Sequence, residues 1–394
     1  MSYALGVVFF SVALLVSVML HEAGHFSTAK AFGMKASRFF VGFGPTLWSF
    51  TRGETEYGIK AVPAGGFVKI EGMTALDEVA PGDEDRAFYK QPPGKRAIVL
   101  AAGSTVHFII AIVLVFGILV ATGKDPIRSD GAQVSSVATC ITTDPSGTCR
   151  AGDPVAPAHG KLQAGDRIVA VNGVTTNSDG SNITAILRDN PDRPVRVTVE
   201  RDGSTKSFTM TPAPVTIHGV TIGRIGITEE LHAAPVSVLG AFPRTFTLLG
   251  DFIRSTGTAI KGIPHEVAQI VQGQQRSNQG AASVVDIARV SGQISSSGAS
   301  SGQILAALLL IIAELNLFVG IFNLLPLLPL DGGHLAILGF EETRSAAARW
   351  RGRPDPGRVD IMKIMPLTYA VVAAFIGLSL ILLYAGIAHP IRLQ

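Results

Sequence analysis

Four long apolar runs divide the chain, separated by polar or mixed stretches. They extend from about Ala4 to Leu20, Ala97 to Thr122, Ile304 to Leu328 and Ile364 to Ala388. Each is long enough, or nearly so, to cross a hydrocarbon core of about 30 Å. Val7 to Leu20 holds no charged residue. The pattern predicts a polytopic α-helical membrane protein with four transmembrane helices. The first run lacks a basic start and leads directly into residues with metal-binding chemistry, which argues against a cleaved signal peptide.

The period changes between the runs. Tyr57, Ile59 and Ala61 alternate with Gly58 and Lys60 as in a strand, and Gly65-Gly66 permits a turn, so a β-hairpin is expected after the first span. Between the second and third spans, the stretch from Lys161 to Gly173 ends in Asn172-Gly173, a strand entering a type I′ hairpin. A short helix at Ile183–Arg188 and an alternating strand at Val195–Glu200 follow. By themselves these predict a small β-sandwich or barrel. Val236 to Ala259 has apolar residues at helical spacing around Arg244, Asp251 and Arg254, as in an amphipathic helix on a membrane surface. Gly273–Gly280 and Ser291–Gly302 are rich in Gly, Ser and Gln and read as mobile loops.

Composition agrees with a membrane protein that has a sizeable water-exposed part: 47% of residues are hydrophobic and 16% charged. The net charge of +3 is too small to imply a nucleic-acid partner. The basic residues report topology instead. Lys30, Lys35 and Arg38 follow the first span, and Lys90, Lys95 and Arg96 precede the second. Arg344, Arg349, Arg351, Arg353, Arg358 and Lys363 lie between the third and fourth. These ends belong on the cytoplasmic side, together with the hairpin, and place both termini and the segment from Lys124 to about Gln303 outside. Cys140 and Cys149 both fall in that outer segment, an oxidising setting in which they form a disulfide or remain two free thiols.

His21-Glu22-Ala23-Gly24-His25 ends the first apolar run. Positions four apart share a helix face, so His21 and His25 can grip one metal ion, with Glu22 placed to move a proton. Two such histidines are also often plain polar surface. At membrane depth, however, ionisable groups are costly and mark function. A catalytic zinc commonly takes a carboxylate as third ligand. Asp331 is the candidate, in Asn323-Leu-Leu-Pro-Leu-Leu-Pro-Leu330-Asp331-Gly332-Gly333-His334, at the membrane level expected for His21. Pro326 and Pro329 prevent a regular helix there, and Gly332-Gly333 permits a tight turn. Taken alone, Asp331 reads as the cap of a following helix; paired with the histidine motif, it reads as a ligand.

With both motifs in view, the chain resembles the site-2 proteases, membrane-embedded zinc metalloproteases, of the bacterial regulator-of-sigma-factor type with a PDZ domain. The resemblance rests on His21–His25 and on Asn323–Gly332, and extends over most of the chain. It implies that His21, His25 and Asp331 bind Zn2+ and that Glu22 is the general base. It also implies that Asn323 helps hold substrate or the developing oxyanion. Phe43-Gly44-Pro45 and Tyr57–Ile70 match the family hairpin that dips toward the active site, with Gly65 and Gly66 beside the substrate. An edge strand there can add an unwound substrate segment by β-augmentation; the alternative is an ordinary cytoplasmic hairpin. Where many members have Gly-Pro-x-x-Asn-Phe, this chain has Gly103-Ser-Thr-Val-His107-Phe108, which puts any kink or polar role there in doubt. His107 is expected to pack in the bundle or bond a neighbouring helix, and Asn316 receives no role. The β-rich segment looks like one extracytoplasmic PDZ domain, with Leu162, Gly165 and Asp166 in its most specific stretch, acting as a filter, an end-binding module or a plug.

The expected organisation is therefore residues 1–122 as a first membrane half with the His motif and hairpin, and 126–214 as the PDZ domain. Residues 215–303 follow as amphipathic helix and linker, and 304–394 as a second membrane half. The function this implies is zinc-dependent intramembrane endopeptidase activity in regulated intramembrane proteolysis, in the inner or plasma membrane. Its substrates would be single-pass proteins such as anti-sigma factors or remnant signal peptides, first trimmed by an upstream site-1-type protease. A non-catalytic PDZ scaffold and a membrane-anchored protease for soluble substrates are the competing readings.

Overall fold

A computed structural model describes residues 2–73, 79–142, 149–150, 152–175, 181–217, 220–271 and 282–388. Four of its helices are long and apolar enough to cross a membrane. The first, α1 (Tyr3–Ala31), starts at Ser2, whose hydroxyl accepts from the Leu5 N–H. Gly6, Phe10, Ser17, His21, Gly24, His25 and Ala29 are its buried residues, spaced so that one stripe faces the protein while Val8, Val12 and Val16 face outward. The helix stops at Phe32, where Gly33 takes a positive φ of 78°.

Two long strands follow, β1 (Ala36–Arg52) and β2 (Thr55–Ile70). Their turn lies at Gly53 (φ 64°), not at Gly65-Gly66 as the sequence suggested. Both strands bend in the middle, so Phe39–Val41 pairs with Gly66–Val68 on one side and Tyr57–Ile59 on the other. Gly66 is needed for close approach: a Cβ there would lie 2.4 Å from Met19 Sδ of α1. The outer edge of the last part of β2 consequently runs along α1.

The base of this hairpin is pinned by charge. Arg86 forks onto both oxygens of Glu54, at 2.6 and 2.8 Å, and Lys30 bonds the same carboxylate. The Arg86 fork, with Lys30 behind it, lowers the Glu54 carboxyl from 4.5 to about 2. A group depressed in the folded state stabilises above its ordinary value and loses that contribution as pH falls. Glu54→Gln is thus expected to melt at a lower temperature at pH 7, and to show a smaller further loss between pH 4.5 and 2, in thermal scans across that range.

Helix α2 (Pro93–Thr122) begins with proline in its first turn and runs on without interruption. Gly24 of α1 packs against it closely, since a Cβ at 24 would lie 2.9 Å from the Ala102 carbonyl oxygen. Ala29, Met34, Ala36, Ile70, Phe88, Val99, Leu100 and Leu338 form the core where the ends of these elements meet.

One compact unit, Ile118–Ala241, is β-rich. Its strands are β3 (Lys124–Val137), β4 (Arg167–Val171), β5 (Val174–Thr175), β6 (Val195–Arg201), β7 (Ser204–Met210), β8 (Ala213–Ile217), β9 (Val220–Arg224) and β10 (Ile227–Pro235). Besides the end of α2 and the first residues of α4, the helix described there is α3 (Ser181–Arg188). The main sheet has the order β10-β3-β4-β6-β7, with β5 beside β4, and β8–β9 forms a separate ribbon. Asn172 (φ 52°) and Gly173 (φ 79°) make the β4–β5 turn with the two positive φ values a type I′ turn requires. The unit is wider than residues 126–214 because β3 needs β10 as its partner. Cys140 and Cys149 are joined by a disulfide, with Cα atoms 5.9 Å apart.

The other unit, Met1–Gly117 with Phe242–Gln394, contains the remaining helices. The chain first forms α4 (Val238–Val271), which exposes Phe242, Phe246, Ile253 and Ile260. Residues 273–280, expected as a loop, lie outside those described. Helix α5 (Val284–Ser295) is capped by a Ser283–Asp286 box and includes the start of the Gly/Ser-rich stretch read as a loop. Small residues are what make this a helix contact: a Cβ at Gly292 would lie 2.6 Å from the Tyr3 ring, and one at Gly6 2.2 Å from the Ser291 carbonyl oxygen. Helix α6 (Ser301–Asn323) ends short of Leu328 because Pro326 follows, and α7 (Asp331–Trp350) and α8 (Met365–Ala388) complete the unit.

Candidate metal centre

Three elements converge on one point. Helix α1 presents His21 and His25 on its buried stripe, α2 packs over them, and α7 begins opposite at Asp331. His21 Nε2 and His25 Nε2 lie 3.1 Å apart, and Asp331 Oδ2 is 3.4 Å from the first and 3.3 Å from the second. These are the described residues that could together hold a metal ion. Donor atoms at about 2.0–2.1 Å from a tetrahedral zinc are themselves roughly 3.3 Å apart, so the separations fit. Asp331 Oδ2 is also buried with no hydrogen-bond partner, as a donor atom reserved for a cation would be.

The surroundings favour the same use. His25 Nδ1 donates to the Val99 carbonyl oxygen at 2.7 Å, which leaves the Nε2 lone pair facing the group. Glu22 follows His21 on the same turn of α1, and its Oε2 accepts from the Val68 N–H of β2 at 3.1 Å. That bond ties the carboxylate to the edge of the hairpin. Gly103 of α2 completes the cradle, because a Cβ there would come within 2.4 Å of both His21 Cε1 and His25 Nε2.

Asp331 is the first residue of α7 and Leu330 is its N-cap, so the carboxylate does not cap the helix. Gly332 and Gly333 serve by close approach rather than by an unusual φ: Cβ atoms there would lie 2.3 Å and 2.6 Å from the backbone at Leu324 and Leu327. The prolines break the chain and the glycines let it fold back, which aims Asp331 at the histidines. Asn323 is the last residue of α6 and half-buried. Gly65 and Gly66 sit within β2 against α1.

The β-rich unit engages its own candidates internally. Leu162 belongs to the core, and the Gly165 N–H bonds the Val134 carbonyl oxygen of β3. Burial pushes the Asp166 carboxyl up, but Arg201, bonding both oxygens at 2.6 Å, and the Gln163 N–H hold it below its ordinary value.

Sequence reasoning missed several contributors. Gly103 lies in Ala101-Ala102-Gly103-Ser104, a small-residue run in an apolar helix that signals close helix approach. The main-chain groups of Val99 and Val68 leave no side-chain signature. Asn316, a buried amide in an apolar run, bonds His107 Nδ1 at 2.7 Å and Ser17 Oγ at 3.0 Å, so His107 does bond a neighbouring helix.

Comparison with known proteins gives this geometry a context. The profile of peptidase family M50 matches residues 9–354. The zinc metalloprotease Rip1 of Mycolicibacterium smegmatis is 37% identical, with the whole of both chains covered. Rip1 of Mycobacterium tuberculosis H37Rv is 36% identical, again over both entire chains. The regulator of sigma-E protease RseP of Salmonella typhimurium is 28% identical over 85% of this chain and 90% of its own. The chain, whose described residues include four helices of membrane type, therefore belongs to peptidase family M50, the site-2 proteases, and is a zinc metalloendopeptidase.

Proposed function

We propose that His21, His25 and Asp331 hold the zinc, that Glu22 is the general base, and that the chain cuts peptide bonds within the bilayer. The observation that supports this best is the placement of the three donor atoms at the end of the apolar stretch of α1 and beyond that of α6. A peptide segment reaching them has to come from the membrane or unwind at its surface. When bound, zinc lowers the pKa of a water and polarises a carbonyl oxygen. Glu22 takes the proton and returns it to the leaving amine, held in line by the Val68 N–H. Apart from the Val68 N–H, which Glu22 occupies, the outer edge of β2 from Gly66 to Ile70 offers main-chain groups to the unwound segment, replacing helical bonds it gives up. Asn323 supports the substrate or its oxyanion.

The basic residues at the span ends put the centre and hairpin on the cytoplasmic side, with both termini and residues 126–214, read as a PDZ domain, outside. Substrates are single-pass membrane proteins, among them anti-sigma factors and remnant signal peptides, already shortened by another protease. The name of one relative, a regulator of sigma-E, is in keeping with this.

The test is cleavage of a panel of single-pass substrates in proteoliposomes, with cut sites mapped by mass spectrometry. Wild type should cut within the transmembrane segment, and Glu22→Gln should lose about 100- to 10,000-fold in rate. Equal rates would end the assignment of Glu22, and cuts confined to soluble loops would end the intramembrane reading.

A further inference from the structure

This inference rests on the reading that His21 and His25 ligate through Nε2. A ligating imidazole normally donates its other N–H to an acceptor that fixes its tautomer and ring plane. His25 does so with the Val99 carbonyl oxygen. His21 Nδ1 is buried and has no hydrogen-bond partner. Its direction is nevertheless defined, because a Cβ at Gly103 would lie 2.6 Å from it. His21 Nδ1 therefore faces α2, and His107 stands one turn beyond Gly103 on the same face. The His21 and His107 ring centroids are 4.9 Å apart, with a tilt of 38°.

The protonation of His107 follows from its other neighbours. Asn316 bonds the Ile312 carbonyl oxygen at 2.8 Å, and a carbonyl can only accept, so the amide nitrogen lies on that side. The same nitrogen donates to Ser17 Oγ at 3.0 Å. Asn316 Oδ1 is then the acceptor facing His107 Nδ1, at 2.7 Å, so His107 Nδ1 carries the proton. His107 Nε2 is left with a lone pair, in a side chain only 2% exposed.

We propose that His107 is a positioning residue for the metal centre, its Nε2 accepting the Nδ1–H of His21. The ring centroids stand 4.9 Å apart, and His21 Nδ1 has no other hydrogen-bond partner to compete for it. Ser17 of α1, Asn316 of α6 and His107 of α2 then form a chain of oriented bonds ending on one metal ligand. All three are buried. Glutamine at 107 would place an acceptor oxygen where Nε2 stands, whereas asparagine reaches only the Nδ1 position and its bond to Asn316, so glutamine is the conservative variant. A purely structural His107, tying α2 to α6, would be served equally well by any tight packing.

The test is zinc affinity by chelator competition on the purified full chain, with absorption bands of the cobalt-substituted protein as a second readout. His107→Leu should bind zinc about 10- to 100-fold more weakly and shift the cobalt bands. His107→Gln should stay close to wild type in both. His107→Leu with wild-type affinity and bands would overturn the proposal, as would failure of His107→Gln to restore binding while the metal-free chain melts normally. His21→Ala separates this from the underlying reading: wild-type zinc affinity there would remove His21 as a ligand altogether. If His107→Leu does not fold, nitrogen NMR of labelled imidazoles in the wild type decides. A scalar coupling across a His21 Nδ1–H to His107 Nε2 hydrogen bond supports the proposal, and its absence with the His21 Nδ1 proton exchanging freely refutes it.

Discussion

Gly103→Ala is expected to empty the metal centre. The added Cβ would sit 2.4 Å from His25 Nε2 and from His21 Cε1, a separation real atoms do not tolerate. Relief requires either that both rings swing away or that α2 withdraws from α1. Withdrawal is opposed by the close seat of Gly24 on the Ala102 carbonyl oxygen. Displacement of about 1 Å at a catalytic group costs on the order of 100-fold in rate. Here two donor atoms move together, so zinc content in the purified protein should fall to a small fraction of wild type and activity should fall with it. Gly117 in the same helix is the control, since a Cβ there meets nothing within 4 Å. Gly117→Ala should keep its zinc and be neutral or more stable by about 0.5–1 kcal/mol. A Gly103→Ala protein with full zinc would mean that the two helices part readily at this point.

Asp331→Ser separates a ligand from a helix-end acid. Serine is a good N-terminal helix residue but a poor zinc ligand. Were Asp331 present only for α7, the change would remove a favourable charge in the first turn, worth about 0.3–1 kcal/mol, and leave zinc binding intact. The geometry predicts the reverse. Its Oδ2 lies within 3.4 Å of both histidine Nε2 atoms and has no other partner, so zinc affinity should drop more than 100-fold, beyond the loss typical of an outer partner. Melting of the metal-free chain should hardly change. Zinc titration and thermal scans on the same preparation read both quantities.

The sequence by itself determined the long helices and brought the candidate donors into view. Apolar runs of membrane length need no tertiary information, because a span must satisfy its backbone internally, and all four appear as helices, although the first continues past Leu20 to Ala31 and the third stops at Asn323. His21 and His25 share a face through helical period alone, and Asn172-Gly173 fixes a local turn through its allowed φ values. Asp331 was legible as a candidate, yet whether it capped or ligated depended on where α7 begins relative to α1. That relation belongs to packing.

Tertiary structure alone decided what closes the centre. Gly103 matters because of the imidazoles pressed against it from another helix, and Val99 and Val68 act through main-chain atoms common to every residue. Gly65-Gly66 read as a turn from composition, whereas the chain turns at Gly53 and uses Gly66 to pass Met19. The Ser291 stretch looked like a loop because small polar residues favour loops in isolation. Against Gly6 and Tyr3 those same small side chains let α5 approach α1 closely, and that packing holds it as a helix. Local period and allowed dihedrals are properties of a segment. Close approach is a property of two segments, and only the folded chain specifies it.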